Sequence, residues 1–405
     1  MTLRSFVLLA LCLLCYASLP AATVPVGTEL EVRLTSEATS GKPSGTAITG
    51  VVIAPVFVNG TQVISTGTRL TGNTADVNAG QLADGQTVEK PATLRIQFTK
   101  IEDAAYHSQP ISCVLAGVDN AREAVDDSGL ITGISASESY EARIDQGLNK
   151  LAEKYQGFAQ ILTSVKGSML QKVDASIDYK PGVEVALKVT RAFDWSAPPT
   201  SSGVGPISPE ADLARLANAE PSRTVALSPP KPSDLTNLMF IGSKDKIEDA
   251  FKKAGWFTAD ELSRNSKMKT AQAIIEDRGY TEAPVSVLNL DGKPPDLTFQ
   301  KTNNTFERRH HIRVWQRPDR FDGKPVWAAA ATHDTGFVFS KESKNFTHGI
   351  DSHIDIERSK VTNDMVFTGE VKGIALVNRA SVGPDLSNAT GDKLITDGKI
   401  AVLEF

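Results

Sequence analysis

The sequence contains little cysteine, few aromatic residues and no strong excess of charge. Only 3 of the 405 residues are cysteine, 6% are aromatic, and the formal net charge is −5 at pH 7. Because Cys12 and Cys15 lie in the first apolar run, Cys113 has no partner for an internal disulfide in the rest of the chain. A mildly acidic protein lacks the basic excess of a general nucleic-acid binder. We therefore expect neither a disulfide scaffold nor a nucleic-acid partner.

Long apolar runs are also missing after the amino terminus. Residues 1–22 combine Arg4, an apolar run from Phe6 to Tyr16 and small residues near Ala22, which is typical of a secretory signal peptide. No later stretch approaches the roughly 18 apolar residues that a membrane-spanning helix requires. The sequence predicts an exported protein, periplasmic or extracellular, with no transmembrane segment in the mature chain.

Residues 23–195 are predicted to form a β-rich module, either a small barrel or a sandwich. Short runs such as TELEVRLT and ISCVLAGV alternate apolar and polar residues and are separated by Gly, Asn, Asp and Pro. The run GVEVALKVT (182–190) repeats the pattern of GTELEVRLT (27–35), so we expect it to join the same module as a closing or edge strand. Cys113 lies in one such run, which favours a buried and unreactive thiol.

A long helix is predicted within this module, over residues 137–172. Apolar residues recur at alternating spacings of four and three from Ile144 to Met169. A coiled coil has this heptad pattern, and so does an amphipathic helix packed on a sheet. Both interpretations stay open: packing within the chain, and a homo-oligomer formed through residues 144–169.

The segment 196–233 is rich in Pro, Ser and Ala and is predicted to be an extended linker. The following domain, 234–405, opens with the apolar run LMFI and a helical pattern that ends near Gly255. Strand-like runs follow, then the helical run DIERSKVTNDMVF and the late strand patterns KGIALVNRA and KIAVLEF. Helices before and after strands indicate a mixed α/β domain with a central sheet. The predicted fold class of the whole chain is α+β.

Five blocks of this second domain resemble the carboxy-terminal domain of the LssY family in order and spacing. They are FIGSKDKIEDAFKKAGW, APVSVLNLDGKPPDLTFQK, RRHHIRVWQ, DGKPVWAAAATHDTGF and HGIDSHIDIER. The resemblance covers about residues 235–370; the family is named for a component linked to type I secretion, and the resemblance carries no established activity. Residues 24–195 distantly resemble TrbI-type conjugal-transfer barrels, which implies a scaffolding role in the envelope or outside the cell.

Five of the six histidines lie between Arg308 and Arg358. On a strand, His311 shares a face with neighbouring arginines, whereas His310 shares an apolar face and is interpreted as a packed residue. The cationic face suits a carboxylate or phosphate. We therefore predict a site for an anionic small molecule or an envelope component. The predicted ligand-binding residues are Arg309, His311, Arg313, Trp315, Asp334 and Arg358.

Histidines near carboxylates are also suited to a divalent metal such as zinc. The predicted helix start at His353 would place that side chain one turn from Glu357, after a capping pair of Ser352 and Asp355. The predicted metal ligands are His311, His333, His348, His353 and Glu357. Three interpretations stay open: a metal site, a metal-free anion pocket and a structural network of ion pairs.

The predicted function is that of an exported binding or accessory protein whose LssY-like domain holds an anionic ligand. The alternative is a metal-dependent hydrolase of the phosphoester type, in which a metal-bound water attacks the substrate. Neither the HExxH metal motif nor the GxSxG nucleophile motif is present in the sequence. The sequence therefore predicts the place of a site without fixing its chemistry.

Overall fold

The computed structural model describes residues 22–83, 88–134, 175–195, 203–227, 230–258, 288–303, 308–340, 345–383 and 385–405. In this part of the chain the protein is mostly β, with three helices. Residues 1–21 of the predicted signal peptide (1–22) and the predicted helix 137–172 lie outside the described residues, and both predictions stay untested.

The amino-terminal module contains seventeen described strands. They are β1 (Ala22–Val24), β2 (Glu29–Leu34), β3 (Ala38–Thr39), β4 (Ala47–Val52), β5 (Val56–Val58), β6 (Thr61–Ile64), β7 (Arg69–Asn78), β8 (Gln81–Leu82), β9 (Val88–Lys90), β10 (Thr93–Glu102), β11 (Ser108–Pro110), β12 (Cys113–Val118), β13 (Ala124–Val125), β14 (Leu130–Thr132), β15 (Asp178–Tyr179), β16 (Glu184–Val189) and β17 (Phe193–Trp195).

Nine of these strands form one antiparallel sheet. Eight follow the order β12-β16-β2-β4-β7-β10-β14-β13, and β11 pairs with β10. The alternating apolar residues of β2, Leu30, Val32 and Leu34, are buried in the core of this module, as period-two patterning requires. Strand β16 pairs with β2 through Val185 and Val32. The predicted return of this late segment to the first module is therefore confirmed, and it occupies an interior position in the sheet.

The sheet curls so that its far strands approach each other. The amide of Ile111, just before β12, donates to the carbonyl of Thr99 on β10 at 3.0 Å. Close approach of β7 and β10 requires Gly72, because an added Cβ would lie only 1.8 Å from the carbonyl oxygen of Gln97. A strongly bent sheet of this kind uses glycine where backbones meet.

The carboxy-terminal domain contains fourteen described strands and three helices. The strands are β18 (Gly205–Pro206), β19 (Arg223–Leu227), β20 (Pro230–Leu235), β21 (Leu238–Ile241), β22 (Phe257–Thr258), β23 (Leu288–Asn289), β24 (Leu297–Lys301), β25 (Arg308–Phe321), β26 (Lys324–Ser340), β27 (Asn345–Ile350), β28 (Gly373–Asn378), β29 (Asp385–Ser387), β30 (Lys393–Ile395) and β31 (Lys399–Glu404). The helices are α1 (Glu210–Ala219), α2 (Lys244–Lys253) and α3 (Ile354–Phe367).

A mixed central sheet organises this domain, as the sequence predicts. Its order is β18-β28-β31-β21-β26-β25-β24-β22, with β27 on β26. The pairs β18–β28 and β21–β31 are parallel, and the other pairs are antiparallel. Helices α2 and α3 contribute Phe251, Val361 and Met365 to the same core cluster as Ala329 and Ala331 of β26. The small alanines let these helices pack closely on the sheet.

The predicted extended linker is wrong for most of its described residues. Strand β18 pairs with β28 of the central sheet, and β19 pairs with β20. Helix α1 buries Leu213 and Ala217 in a cluster that also contains Ile207 and Val402. Ordering this Pro-rich segment costs conformational entropy. Burial of these apolar side chains offsets that cost. Residues 196–202 and 228–229 lie outside the described residues.

Candidate metal site between the two modules

Strands β25 and β26 distribute the polar residues of the histidine segment between the two faces of the central sheet. His310 lies opposite His333, and His311 lies opposite Thr332. Because successive side chains of a strand point to opposite faces, His310 and His333 share one face while His311 lies on the other. Asp334 follows His333 and lies on the face of His311.

His310 is the centre of the first face. Its side chain is buried, and its two ring nitrogens contact carboxylates on opposite sides. Nδ1 lies 2.7 Å from Oε2 of Glu357 on α3, and Nε2 lies 3.0 Å from both carboxylate oxygens of Asp119. The His333 ring stacks on the His310 ring with 4.3 Å between centroids. Asp119 belongs to the amino-terminal module, so the cluster lies where the two modules meet.

These contacts give the two imidazole rings different charges. Burial alone would lower the pKa of His310, but the negative charges of Glu357 and Asp119 outweigh it and raise the pKa to about 10. Burial lowers the pKa of His333, and the positive charge of His310 lowers it further. Burial would raise the pKa of Asp119, but the charge and hydrogen bond of His310 bring it to about 2. At neutral pH a protonated His310 therefore lies between carboxylates, beside a neutral His333.

A turn after β12 brings Asp119 and Asn120 to this cluster. Asn120 has φ of 51°, in the left-handed region that asparagine accepts more readily than most residues. Its Oδ1 lies 3.0 Å from Nε2 of His333, and its Nδ2 donates to the carbonyl of Lys301 at 3.3 Å. The backbone carbonyl of Asp119 accepts from Nδ2 of Asn303 at 3.0 Å. The carboxy-terminal domain thus fixes the turn through side-chain and backbone groups.

Asp119, His310 and His333 are chemically suited to a divalent metal ion. In the described part of the chain, each of the three offers one ligand atom, and these atoms lie within 4.8 Å of one another. Imidazole nitrogen and carboxylate oxygen are ligands of zinc and related ions. Glu357 contacts the other nitrogen of His310, an arrangement that commonly orients a metal-ligating histidine. The Oε1 atom of Glu357 is buried without a hydrogen-bond partner.

A second polar cluster, which we call the junction network, joins the modules beside the histidines. It consists of Arg33, Glu184, Lys301, Lys360 and Asp364. Glu184 on β16 accepts from Arg33 and Lys301, each at 2.6 Å, and from Lys360. Asp364 on α3 accepts from Lys301 at 2.9 Å and from Lys360 at 3.2 Å. Glu184 of the first module therefore binds three cations, and two of them, Lys301 and Lys360, belong to the second module.

Burial makes the junction network sensitive to the loss of any member. Burial would raise the pKa of Glu184, but Lys360, Lys301 and Arg33 hold it well below its usual range. Burial would lower the pKa of Lys360, but Asp364 and Glu184 hold it well above its usual range. Removing one partner from a buried pair leaves an uncompensated charge and typically costs about 3–5 kcal/mol.

Part of the predicted ligand-binding set lies together on the opposite face of the sheet. Nε of Arg309 donates to Oδ2 of Asp334 at 2.8 Å, and Nε2 of His311 lies 2.9 Å from Oδ1 of the same carboxylate. The hydroxyl of Thr332 lies 2.8 Å from Nε2 of His311. The buried carboxylate of Asp334 thus already contacts Arg309 and His311, two of the residues predicted to bind an anion.

The remaining members of that predicted set are also engaged within the protein. Arg313 is buried 3.5 Å from Asp234, and Trp315 is buried in the sheet core. Arg358 contacts the carboxylates of Asp355 and Asp397 at 3.0 and 2.7 Å. An anionic ligand would have to compete with these carboxylates, so the anion site stays a prediction.

The predicted metal ligands are placed at different parts of the domain. His333 and Glu357 both contribute to the His310 cluster, whereas His311 lies on the opposite face of the sheet. His353 precedes α3 with 60% of its side chain exposed. The side chain of His348 lies outside the described residues.

The predicted capping pair at the start of α3 is wrong. His353 occupies the N-cap position, and no side chain caps the helix there. Asp355 instead accepts from Arg358 and from the hydroxyl of Thr396 at 2.9 Å. Thr396, more than forty residues away in sequence, therefore contacts Asp355 in place of the predicted partner Ser352.

The contribution of Asp119 and Asn120 is not visible in the histidine segment, because Asp119 lies 191 residues before His310. Two signals in the sequence are compatible with the observed site. Adjacent His310 and His311 on a strand must occupy opposite faces, and a polar Asp-Asn pair directly follows the strand run CVLAGV. Neither signal indicates that the two segments meet.

Comparison with known families supports the identity of the second domain. Residues 221–400 match the family model described as LssY C-terminus. This match confirms the resemblance of the sequence blocks to the LssY C-terminal domain and extends it in both directions beyond residues 235–370. A search of curated protein sequences found no match.

A solved structure with distant similarity is that of ComB10 of the Com Type IV secretion system of Helicobacter pylori. It is 11% identical, covers 44% of this chain and 92% of its own chain, and has a TM-score of 0.23. At this TM-score the similarity carries no argument about fold or function. Among the described residues, no helix is long and apolar enough to cross a membrane.

Proposed function

We propose that the protein is an exported binding or accessory protein whose main site binds a divalent metal ion between its two modules. The ligands are the carboxylate of Asp119, the Nε2 atom of His310 and one ring nitrogen of His333. The observation that carries the proposal is the approach of these three ligand atoms to within 4.8 Å in a largely buried position. Zinc is the metal that this set of nitrogen and oxygen ligands suits best.

Binding of the ion requires only a small shift of the ligand atoms toward one another. With bonds of about 2.0–2.1 Å, the ligand atoms around tetrahedral zinc lie about 3.3 Å apart. His310 and Asp119 are already 3.0 Å apart. The adjustment therefore falls on His333, whose Nε2 now faces the Asn120 amide oxygen.

The environment of His310 also suits a metal ligand. Its Nε2 faces Asp119 and the neighbouring His333, while its Nδ1 is held by Glu357. A carboxylate on the far nitrogen orients the ring and increases its basicity as a ligand. In the metal-free protein, a proton on His310 supplies positive charge between the two carboxylates. A divalent metal ion would replace that proton and supply a larger positive charge at the same place.

Zinc titration of the purified full chain at neutral pH, followed by calorimetry and metal analysis, tests the proposal. We expect one zinc ion per chain. The substitutions Asp119→Asn and His333→Ala should each weaken zinc binding by at least about tenfold, because each removes one ligand. His311→Ala is the matched control. It removes the histidine that follows His310 on β25, whose side chain lies on the opposite face of the sheet. This variant should leave zinc affinity unchanged.

Two results would overturn the metal site. One is a wild-type chain that does not bind zinc. The other is a loss of affinity in His311→Ala as large as that in His333→Ala, which would place the zinc elsewhere.

A second candidate function is metal-dependent hydrolysis. Its specific support is that three protein ligands leave a coordination position for water, and the side chain of Asp119 keeps 25% exposure toward solvent. Zinc-dependent hydrolysis of p-nitrophenyl phosphate by the wild type, absent from His333→Ala, would support this function. Zinc binding without hydrolysis would restrict the site to a binding role.

A further inference from the structure

The metal ligands and the junction network span the same boundary between the modules. Asp119 lies on the amino-terminal side, and His310 and His333 lie on the carboxy-terminal side. Glu184 on the amino-terminal side binds Lys301 and Lys360 on the other. We infer that metal binding and the docking of the two modules are coupled, so that a divalent metal ion bound at the histidine cluster strengthens docking and docking strengthens metal binding. This inference rests on the metal site proposed above.

The two clusters are connected through the backbone of the first module. Strands β12 and β16 pair next to the site, with Val118 opposite Val185. The amide of Asp119 donates to the carbonyl of Glu184 at 2.9 Å. A displacement of β16 relative to the second domain would therefore also move the Asp119 carboxylate away from the histidines.

The second domain connects the clusters in the same way. Lys301 accepts a hydrogen bond from Asn120 through its backbone carbonyl and binds Glu184 through its ammonium group. On α3, Glu357 holds His310, and Lys360 lies one turn further along and binds Glu184. Lys301 and helix α3 thus each contact both the metal-site cluster and Glu184.

Thermodynamic linkage makes this arrangement testable. Glu184 is not one of the three metal ligands, yet it stabilises the docked state in which all three ligands meet. If only the docked state presents the complete site, the apparent zinc affinity is proportional to the fraction of chains that are docked, and a substitution that lowers this fraction weakens metal binding by the same factor. A metal that binds only the docked state must likewise stabilise docking.

The experiment combines two measurements on the full chain. Zinc affinity is measured for wild type, Glu184→Gln and the matched control Glu37→Gln. Glu37 lies in the same module and also binds two lysines, Lys42 and Lys180, but these lie within that module. Hydrogen exchange of β16 and α3 is then measured with and without zinc.

We expect Glu184→Gln to weaken zinc binding by about 5- to 150-fold, the usual range of coupling between sites, and Glu37→Gln to leave it unchanged. Zinc should slow exchange in β16 and α3 of the wild type and have no such effect in His333→Ala. Exchange in β4 and β7, within the sheet of the first module, reports whether Glu184→Gln remains folded. If Glu184→Gln fails to fold, Lys360→Met tests the same contact from α3 and should weaken zinc binding within the same range.

The outcomes separate the two proposals. If the wild type does not bind zinc, the metal site itself is wrong. If the wild type binds zinc but a folded Glu184→Gln or Lys360→Met chain binds it equally well, and zinc does not slow exchange at the junction, the coupling is overturned while the metal site stands.

Discussion

The rings of His310 and His333 stack across β25 and β26 with 4.3 Å between centroids and 23° between their planes. Two imidazolium ions at this distance would repel each other strongly, since both rings are largely withdrawn from water. Burial lowers the pKa of His333, and the positive charge on His310, which the carboxylates of Glu357 and Asp119 favour, lowers it further. One ring is therefore charged and the other neutral, and both belong to the proposed metal site.

Glu357 should affect metal affinity although it is not itself a ligand. Glu357→Gln weakens the acceptor that holds Nδ1 of His310, so we expect zinc affinity to fall by about 10- to 100-fold. Titration calorimetry of the purified variant measures the change. Asp355→Asn, in the first turn of the same helix, is the control, because Asp355 binds Arg358 and Thr396. Equal affinities in wild type and Glu357→Gln would show that this contact does not orient the ligand.

Acid should weaken the junction through Glu184. Its pKa in the folded protein lies well below the ordinary value of 4.5. A depressed folded-state pKa contributes stability that is present above about pH 4.5 and is lost as the pH falls toward the folded-state value. Urea unfolding between pH 7 and pH 3 should therefore show a smaller difference between wild type and Glu184→Gln in acid. A difference that stays constant over this range would contradict the role of this carboxylate.

Gly72 should be intolerant of any side chain. A Cβ there would lie 1.8 Å from the carbonyl oxygen of Gln97, so Gly72→Ala must push β7 and β10 apart. We expect a loss in the free energy of unfolding of at least about 1–3 kcal/mol, the usual cost of overpacking. Gly117→Ala on β12 is the matched control, since a Cβ at that position meets nothing within 4 Å. Equal stability of the two variants in urea would contradict the close approach of β7 and β10.

Cys113 should react slowly in the folded protein. Burial raises the pKa of its thiol to about 12. At pH 8 only about one thiol in ten thousand would then be the reactive thiolate. Alkylation by iodoacetamide should be slow in buffer and much faster in concentrated urea, as followed by mass spectrometry. Fast labelling of the native chain would indicate that the thiol is open to solvent.

The local structure of the second domain was predictable because it depends on near neighbours in sequence. The apolar run LMFI forms β21, and the buried residues Ile247, Ala250 and Phe251 define one face of α2 as their spacing predicts. Helix α3 also lies where the sequence places it. In contrast, α1 lies in a Pro-rich segment, and its stability comes from a core cluster that includes Ile207 and Val402. Composition alone cannot predict such distant packing partners.

The sequence by itself determined that the histidines concentrate in a domain that resembles the LssY C-terminus, and that His310 and His311 occupy opposite faces of a strand. Strand periodicity suffices for this, because it requires only the alternation of adjacent residues. Only the tertiary structure decided which face forms the candidate metal site. On one face Asp334 binds His311, and on the other Asp119 arrives from the first module. Burial and charge select between these faces, and both depend on residues that the chain brings together only when it folds.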